Sequence, residues 1–351
     1  MKRALAILMA AGLALLLLAP AADYAYKAGG GEACARCHEI APQVEAWQMS
    51  AHRNVRCDQC HDSTMMTNLR RVGTHWTGEV PARPRMRQAD VLAITERCRS
   101  CHQQEYAQWR NGPHSVTFEA LFLDKKHNSE RILMDDCFRC HGMHFEGGIG
   151  DLIQPVNREG PWALVREELK DVPALPCLSC HSMHAAGGPL KGHVRKAGIS
   201  RKEEIARPSL AMFDRRSMAP IALRDLPLPE VLEGERRVKM SPDARQGLCY
   251  QCHAPLAGGQ IKTGDDRTPM GVHEGLSCLA CHDHHRGTTR TSCSTCHPRL
   301  SNCGLDVETM DTTFASKESK HNIHWVKCAD CHPKGVPPKR GVGISSRRPV
   351  P

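Results

Sequence analysis

The chain of 351 residues contains 19 cysteines, carries a formal net charge of +9 and has only 4 % aromatic residues. So few Phe, Tyr and Trp side chains build only a modest conventional hydrophobic core. Beyond the N-terminus, no apolar stretch approaches the ~20 residues that cross a bilayer, which excludes a membrane protein with several spans.

The N-terminus has the pattern of an export signal. Lys2 and Arg3 precede an apolar run over residues 4–19, and Ala19-Pro20-Ala21 fits the small-x-small rule for cleavage. We expect residues 1–22 to be a signal peptide, with an uncleaved membrane anchor as the alternative. In either case the remainder is expected outside the cytoplasm, in the periplasm, where conditions are oxidising.

Nine times in the chain, two cysteines stand three positions apart and a histidine follows the second directly. The cysteines are Cys34, Cys37, Cys57, Cys60, Cys98, Cys101, Cys137, Cys140, Cys177, Cys180, Cys249, Cys252, Cys278, Cys281, Cys293, Cys296, Cys328 and Cys331. The histidines are His38, His61, His102, His141, His181, His253, His282, His297 and His332. C-x-x-C-H is the attachment motif of c-type haem, in which both thiols bind the porphyrin and the histidine is the proximal iron ligand. The sequence therefore predicts nine covalently bound haems.

Two other sites also use C-x-x-C, namely thioredoxin-like dithiols and zinc knuckles. Neither requires a histidine in the next position. With 21 histidines among 351 residues, nine such histidines by chance are negligible. Only Cys303 lies outside the motifs, and we interpret it as a buried or free thiol.

The haems also change the charge balance. If both propionates of each haem ionise, nine haems add roughly −18, which ferric iron offsets only in part. The excess of Lys and Arg then compensates propionates, and nucleic acid is not predicted as a partner. The basic tail 336–351 is expected to be a flexible end.

The 28 glycines and 23 prolines fragment the chain and strand-like alternation is scarce. We therefore expect a mainly α fold with much irregular loop and little or no β, in which short helices and loops wrap around a stacked haem array. The expected longer helices are Ala41–Ser50, Gln88–Cys98, Gln103–Arg110, Pro161–Leu169 and Lys202–Phe213.

Cysteine spacing predicts a division of the chain. Residues 30–185 carry five motifs and residues 248–335 carry four, whereas residues 186–247 contain no cysteine. We expect two haem domains joined by this segment. The alternative is one continuous haem array with the segment packed over it.

Twelve histidines lie outside the motifs, enough to give every haem a second histidine ligand. Spacing singles out three of them: His52 and His114 each follow a tryptophan by five positions, and His273 precedes its next motif by five, as His52 does. The candidate distal ligands are His52, His75, His114, His127, His193, His273, and His321 or His324.

Three further histidines, His144, His184 and His285, follow a proximal histidine by three positions. On a helical turn they project from the same side as that ligand, so they cannot cap their own haem. They are expected to ligate a neighbouring haem or to bond a propionate. Met143 and Met183 are expected to pack against porphyrin faces.

Residues 34–61 have the sequence CARCHEIAPQVEAWQMSAHRNVRCDQCH. This segment resembles the N-terminal haem segment of the NapC/NirT family of tetrahaem cytochromes, and the rest resembles multihaem c-type cytochromes generally. The resemblance implies electron transfer from membrane quinol to periplasmic reductases.

The sequence favours an electron carrier, working in anaerobic respiration, over an enzyme with its own substrate, and no catalytic residue is assigned. It would relay electrons from a quinol-linked or other donor to a terminal reductase or an extracellular acceptor, with redox proteins as partners. One alternative is an oxidoreductase acting on a small nitrogen or sulfur oxyanion at one open haem, although no motif ends in lysine. Another is a subunit of an extracellular haem filament.

The haem count can be tested directly. Intact-mass spectrometry of the matured holoprotein should give the polypeptide mass plus nine haem groups, because the motifs bind each group covalently. Replacing Cys293 and Cys296 by alanine should remove one group, and Cys303→Ser should remove none. A fully matured protein with fewer than nine groups would contradict the prediction.

Overall fold

The computed structural model describes residues 2–30, 32–61, 64–78, 80, 86–184, 209–253, 268–286, 293–296, 306, 308–309, 323–324, 326–331 and 334. Several residues singled out from the sequence lie outside this part of the chain, namely His193, His297, Cys303, His321, His332 and the tail 336–351.

The chain forms two compact units. The first comprises residues 1–229, 243–261 and 283–288, and the second comprises residues 230–242, 262–282 and 289–351. The domain boundaries derived from cysteine spacing stay a prediction.

Unit one begins with an exposed helix, α1 (Lys2–Ala28), whose segment Arg3–Ala28 is long and apolar enough to cross a membrane. The chain that leaves α1 is fixed by the next part of the fold. Asp58 donates its backbone N–H to the Gly30 carbonyl at 3.1 Å, and Arg56 Nη2 donates to the Lys27 carbonyl at 3.0 Å.

Short helices dominate unit one, as the sequence predicted. They are α2 (Ala41–Gln48), α3 (Cys57–Cys60), α4 (Met65–Thr77), α5 (Gln88–Cys98), α6 (Gln103–Arg110), α7 (Phe118–Phe122), α8 (Lys125–Glu130), α9 (Ile149–Leu152) and α10 (Gln246–His253). Local side chains set their limits. Thr64 Oγ1 accepts the Thr67 N–H at 3.2 Å at the start of α4, and Gly78, at φ 72°, ends that helix.

Three antiparallel hairpins complete the described secondary structure. In unit one, β1 (Ile153–Gln154) pairs with β2 (Ala163–Leu164), and β3 (Ala211–Asp214) pairs with β4 (Ala219–Ala222). In unit two, β5 (Leu232–Glu233) pairs with β6 (Arg236–Arg237), and α11 (Cys328–Cys331) carries a motif. The fold is therefore mostly helical, with few and short strands.

One predicted helix was wrong, and the described end of a second one is a strand. Pro161–Leu169 instead contains β2 and a 3₁₀ turn at Glu167–Leu169. The described end of Lys202–Phe213 lies in β3. There the Asp214 carboxylate accepts bonds from the backbone N–H groups of Arg216 and Ser217, which closes a hairpin turn instead of continuing a helix.

A conventional core surrounds the Cys137 motif in unit one. Four of the chain's six phenylalanines lie in it, and their rings contact one another. Its buried members are Phe118, Phe122, Leu133, Phe138, Phe145, Ile149, Leu152, Ile153, Leu164, Leu169 and Ala174. Arg215 closes this core, since its guanidinium donates to the carbonyls of Phe145 and Gly147 and lies 4.7 Å from the centre of the Phe138 ring.

The β3–β4 hairpin packs on the loop of the Cys177 motif. Ala211 N–H donates to the Cys180 carbonyl at 3.1 Å, and Ser182 N–H donates to the Ser209 carbonyl at 2.8 Å. A small apolar cluster behind the hairpin buries Met143 against Met212 and Leu223. The hairpin thereby fixes the chain that follows His181.

In unit two, Glu274 holds the β5–β6 hairpin against a second segment. Its Oε1 accepts from Arg236 Nη1 at 2.7 Å and from the Lys239 N–H at 2.6 Å. The same segment contacts His324 and Val326, because Met270 N–H donates to the His324 carbonyl at 2.6 Å and Val272 N–H donates to the Val326 carbonyl at 3.0 Å.

The aromatic core predicts a clear stability effect. Phe138 is fully buried, so Phe138→Ala should lower the free energy of unfolding by about 3–5 kcal/mol. Denaturant titration of the holoprotein followed by far-UV circular dichroism measures this. Val156→Ala, at a 42 % exposed position of the same region, is the control and should change little. Equal losses in both variants would show that the phenylalanine cluster does not act as a core.

Candidate haem-binding sites

Among the described residues, several C-x-x-C-H motifs fold on themselves. In five motifs the histidine N–H donates to the carbonyl of the first cysteine four positions earlier, at 2.7 to 3.0 Å. These motifs begin at Cys57, Cys98, Cys137, Cys177 and Cys278. One helical turn therefore presents both thiols and the imidazole without help from another element.

Six motif histidines lie against a histidine from elsewhere in the chain. In unit one the ring centroids are 5.6 Å apart for His38–His75, 5.9 Å for His61–His184, 6.1 Å for His102–His52, 6.3 Å for His181–His285 and 6.2 Å for His253–His114. In unit two the distance for His282–His324 is 6.1 Å. Every one of these pairs joins a motif histidine to a histidine outside the motifs.

These distances suit an iron between two imidazoles. With a metal–nitrogen distance of about 2 Å, and roughly 1.1 Å from each nitrogen to its ring centre, the centroids would lie about 6.3 Å apart. The residues present therefore fit a haem iron with one motif histidine and one distal histidine as axial ligands.

Local contacts position the distal histidines. His75 stands near the end of α4, while His52 follows α2, where Trp47 Nε1 donates to its carbonyl at 2.8 Å. The second tryptophan of the sequence repeat makes a different contact, since Trp109 Nε1 donates to the Leu175 carbonyl at 3.1 Å. The repeat thus preserves spacing without preserving the hydrogen bond.

The second ring nitrogen of three of these histidines has a defined acceptor. His114 Nδ1 bonds the His284 carbonyl at 3.2 Å, and His273 Nδ1 bonds the Ile323 carbonyl at 3.0 Å. His75 Nδ1 instead bonds Glu39 Oε1 at 2.5 Å, and the same oxygen lies 3.5 Å from His38 Nε2. Such partners fix the ring orientation of a metal-binding histidine, and a carboxylate strengthens its donation to the metal most.

Burial keeps several of these imidazoles neutral, which is the form that binds metals. Desolvation lowers the pKa of both His61 and His181 to about 4. It also lowers the pKa of His114, His184 and His285.

Glycine allows a close approach beside His114. A Cβ on Gly112 would lie 2.6 Å from the His285 carbonyl oxygen and 2.9 Å from that of Arg286. The backbone that carries His114 therefore lies directly against the segment of His284 and His285.

The motifs of unit one are neighbours in an order that differs from their order in the sequence. The Cys98 and Cys177 side chains lie close together, as do those of Cys140 and Cys252. Cys60 likewise lies near Cys98, and Cys180 lies near Cys252. The resulting row runs through the motifs that begin at Cys57, Cys98, Cys177, Cys249 and Cys137. In unit two, Cys281 interacts with Cys293 and Cys296.

Some candidates occupy other positions. His127 is exposed on α8, outside the histidine pairs given above. His144 is buried with its ring 4.0 Å from that of Phe213, and desolvation lowers its pKa to about 4. His184 and His285 were not among the residues favoured from the sequence, yet each lies against the histidine of another motif. The sequence pattern that could have identified both is C-x-x-C-H-x-x-H, in which a second histidine follows the motif histidine by three positions.

The motif turns and the paired histidines define a haem protein of the c type. Comparison with family models agrees: residues 235–298 match cytochrome c7 and related cytochrome c, and residues 97–160 match cytochrome c554 and c-prime. No curated protein and no solved structure matches the chain significantly. The protein is a multihaem c-type cytochrome with domains of these two kinds, and such proteins lie outside the cytoplasm.

The contact between Glu39 and His75 predicts a shift in redox potential. Glu39→Gln should raise the midpoint potential of one haem by an amount on the order of tens of millivolts, because an amide weakens the donation of His75 to ferric iron. Spectroelectrochemical titration with low-temperature electron paramagnetic resonance measures the shift. Glu45→Gln removes an exposed carboxylate from α2 and serves as the control. Identical titrations for the two variants would exclude this role of Glu39.

Proposed function

We propose that this protein is a membrane-anchored carrier with nine covalently bound haems that relays electrons outside the cytoplasm. The donor is a quinol-linked or other membrane component, and the acceptor is a terminal reductase or an extracellular oxidant. The observation that carries the proposal is the set of six histidine pairs, each joining a motif to a distal histidine. When bound, haem with two histidine ligands supplies one-electron redox chemistry and leaves no open position on the iron for a substrate.

The number of haems rests on the motif count in the sequence. Histidines beyond the six pairs are available for the remaining motifs, and His273 is favoured in unit two. Its Nδ1 bonds a backbone carbonyl, as the Nδ1 of His114 does. That contact orients a histidine for metal binding.

The row of neighbouring motifs in unit one, whose order differs from that in the sequence, supports relay of electrons through this unit. Neighbouring attachment points bring the rings bound there close together, which electron transfer between them requires. The backbone bond from Asp58 to Gly30 joins the segment before Cys34 to the Cys57 turn, which supports a position of the Cys34 motif next to this row. The membrane donor is therefore expected to meet the Cys34 motif first.

Retention of α1 as an anchor is supported by its length and composition, because the segment Arg3–Ala28 is long and apolar enough to cross a membrane. The bond from Arg56 to the Lys27 carbonyl ties the end of this helix to the Cys57 motif. The resemblance of residues 34–61 to the NapC/NirT family supports the same arrangement.

Carbon monoxide binding tests the carrier function. The fully reduced wild-type holoprotein should show no change in its visible spectrum, because histidine pairs fill the axial positions. His184→Ala should add a change that corresponds to one haem in nine. Ser182→Ala, two residues away in the same loop, is the control and should behave as wild type. Binding at one haem of the wild-type protein would instead favour an oxidoreductase with an open iron.

A further inference from the structure

Helix α4 presents its apolar side to the exterior. Trp76 is 82 % exposed, Met66 71 % and Leu69 47 %, whereas Thr67 and Thr74 on the other side are half-buried. A helix on a water-facing surface has the opposite arrangement, with its apolar stripe toward the protein. The exposed stripe therefore needs an apolar environment outside the polypeptide.

The stripe lies on a different side of α4 from the candidate iron ligand His75. With 3.6 residues per turn, each residue advances by about 100°, so Trp76 and Leu69 lie about 100° and 120° from His75, and Met66 about 180°. These three side chains therefore project from a side of α4 other than the one that carries His75.

The stripe is continuous with the outer end of α1. Helix α4 packs against α1, and Asn68 Nδ2 donates to Asp23 Oδ1 at 3.5 Å. Asp23 also pairs with Lys27 at 2.8 Å, so the polar end of α1 begins at this contact. Leu69 directly follows the contact residue. Leu69, on the apolar side of α4, therefore lies near the level where α1 changes from apolar to polar.

The surroundings of the stripe have the composition of a membrane interface. Tyr24 is exposed on α1 near its contact with α4, and Trp76 is exposed at the other end of α4. Tyrosine and tryptophan concentrate at the headgroup level of membranes. Arg70 and Arg71 are exposed on α4 and complement anionic headgroups.

We propose that α4 lies in the lipid–water interface, with Leu69, Trp76 and Met66 inserted among phospholipid acyl chains. This inference rests on the anchored form of the protein in the proposed function. As a consequence, both α1 and α4 hold His75 at the membrane surface. The Cys34 motif, whose histidine lies against His75, is held there with it.

Lipid photo-crosslinking tests the proposal. The photoreactive residue p-benzoylphenylalanine is placed at Leu69 or Trp76 of the full-length holoprotein, which is reconstituted in vesicles of zwitterionic and anionic phospholipid with a fluorescent lipid tracer. Tyr24 serves as the positive control, and Gln104, exposed on α6, as the negative control. Irradiation should give lipid adducts at positions 69, 76 and 24, at least several-fold above those at position 104.

Three results would overturn the proposal. Labelling at position 24 without labelling at 69 and 76 would place α4 outside the bilayer. Equal labelling at position 104 would show contact without a preferred face. Cross-links to a second copy of the chain would make the stripe a dimer surface. The carbon monoxide experiment does not depend on any of these cross-linking results. A failure of the proposed carrier function can therefore be distinguished from a failure of the lipid-contact proposal.

Discussion

The pairing of a motif histidine with a histidine from a distant segment is the constraint on which the rest of this structure depends. Most described helices have fewer than twelve residues, and helices of that length are marginal on their own in water. Three short hairpins add little to them. In unit one, an iron held by two such histidines joins segments that the described backbone hydrogen bonds do not connect. Haem binding is therefore coupled to folding, as metal binding is in small metallodomains.

In one region, the packing of apolar side chains stabilises the fold without histidine pairing. Around the Cys137 motif, Phe118, Phe138 and Phe145 bury their rings against one another and Arg215 covers them. This concentration of phenylalanine explains how a chain with 4 % aromatic residues still builds one ordinary core. The aromatic residues are clustered, not dispersed, so overall composition underestimates the packing at this motif.

The features that the sequence predicted correctly are local. The motif turns and helices α5 and α6 follow from spacing within ten or so residues, because a helical turn depends on nearby backbone groups. The β3–β4 hairpin was missed because Asp214 binds backbone groups that an apolar pattern does not reveal. The pairing of His184 with His61 was missed for another reason: helical spacing excluded one partner for His184, but only the tertiary fold selects among the others.

In unit one, single segments of the chain contribute residues to two different candidate haem sites. His184 belongs to the loop of the Cys177 motif and lies against His61, while His52 precedes the Cys57 motif and lies against His102. Each of these segments thus supplies attachment points to one haem and an axial ligand to another. A segment that carries both functions cannot be displaced without disturbing two sites. The row of motifs should therefore order as a cooperative unit, which keeps neighbouring redox centres at fixed separations.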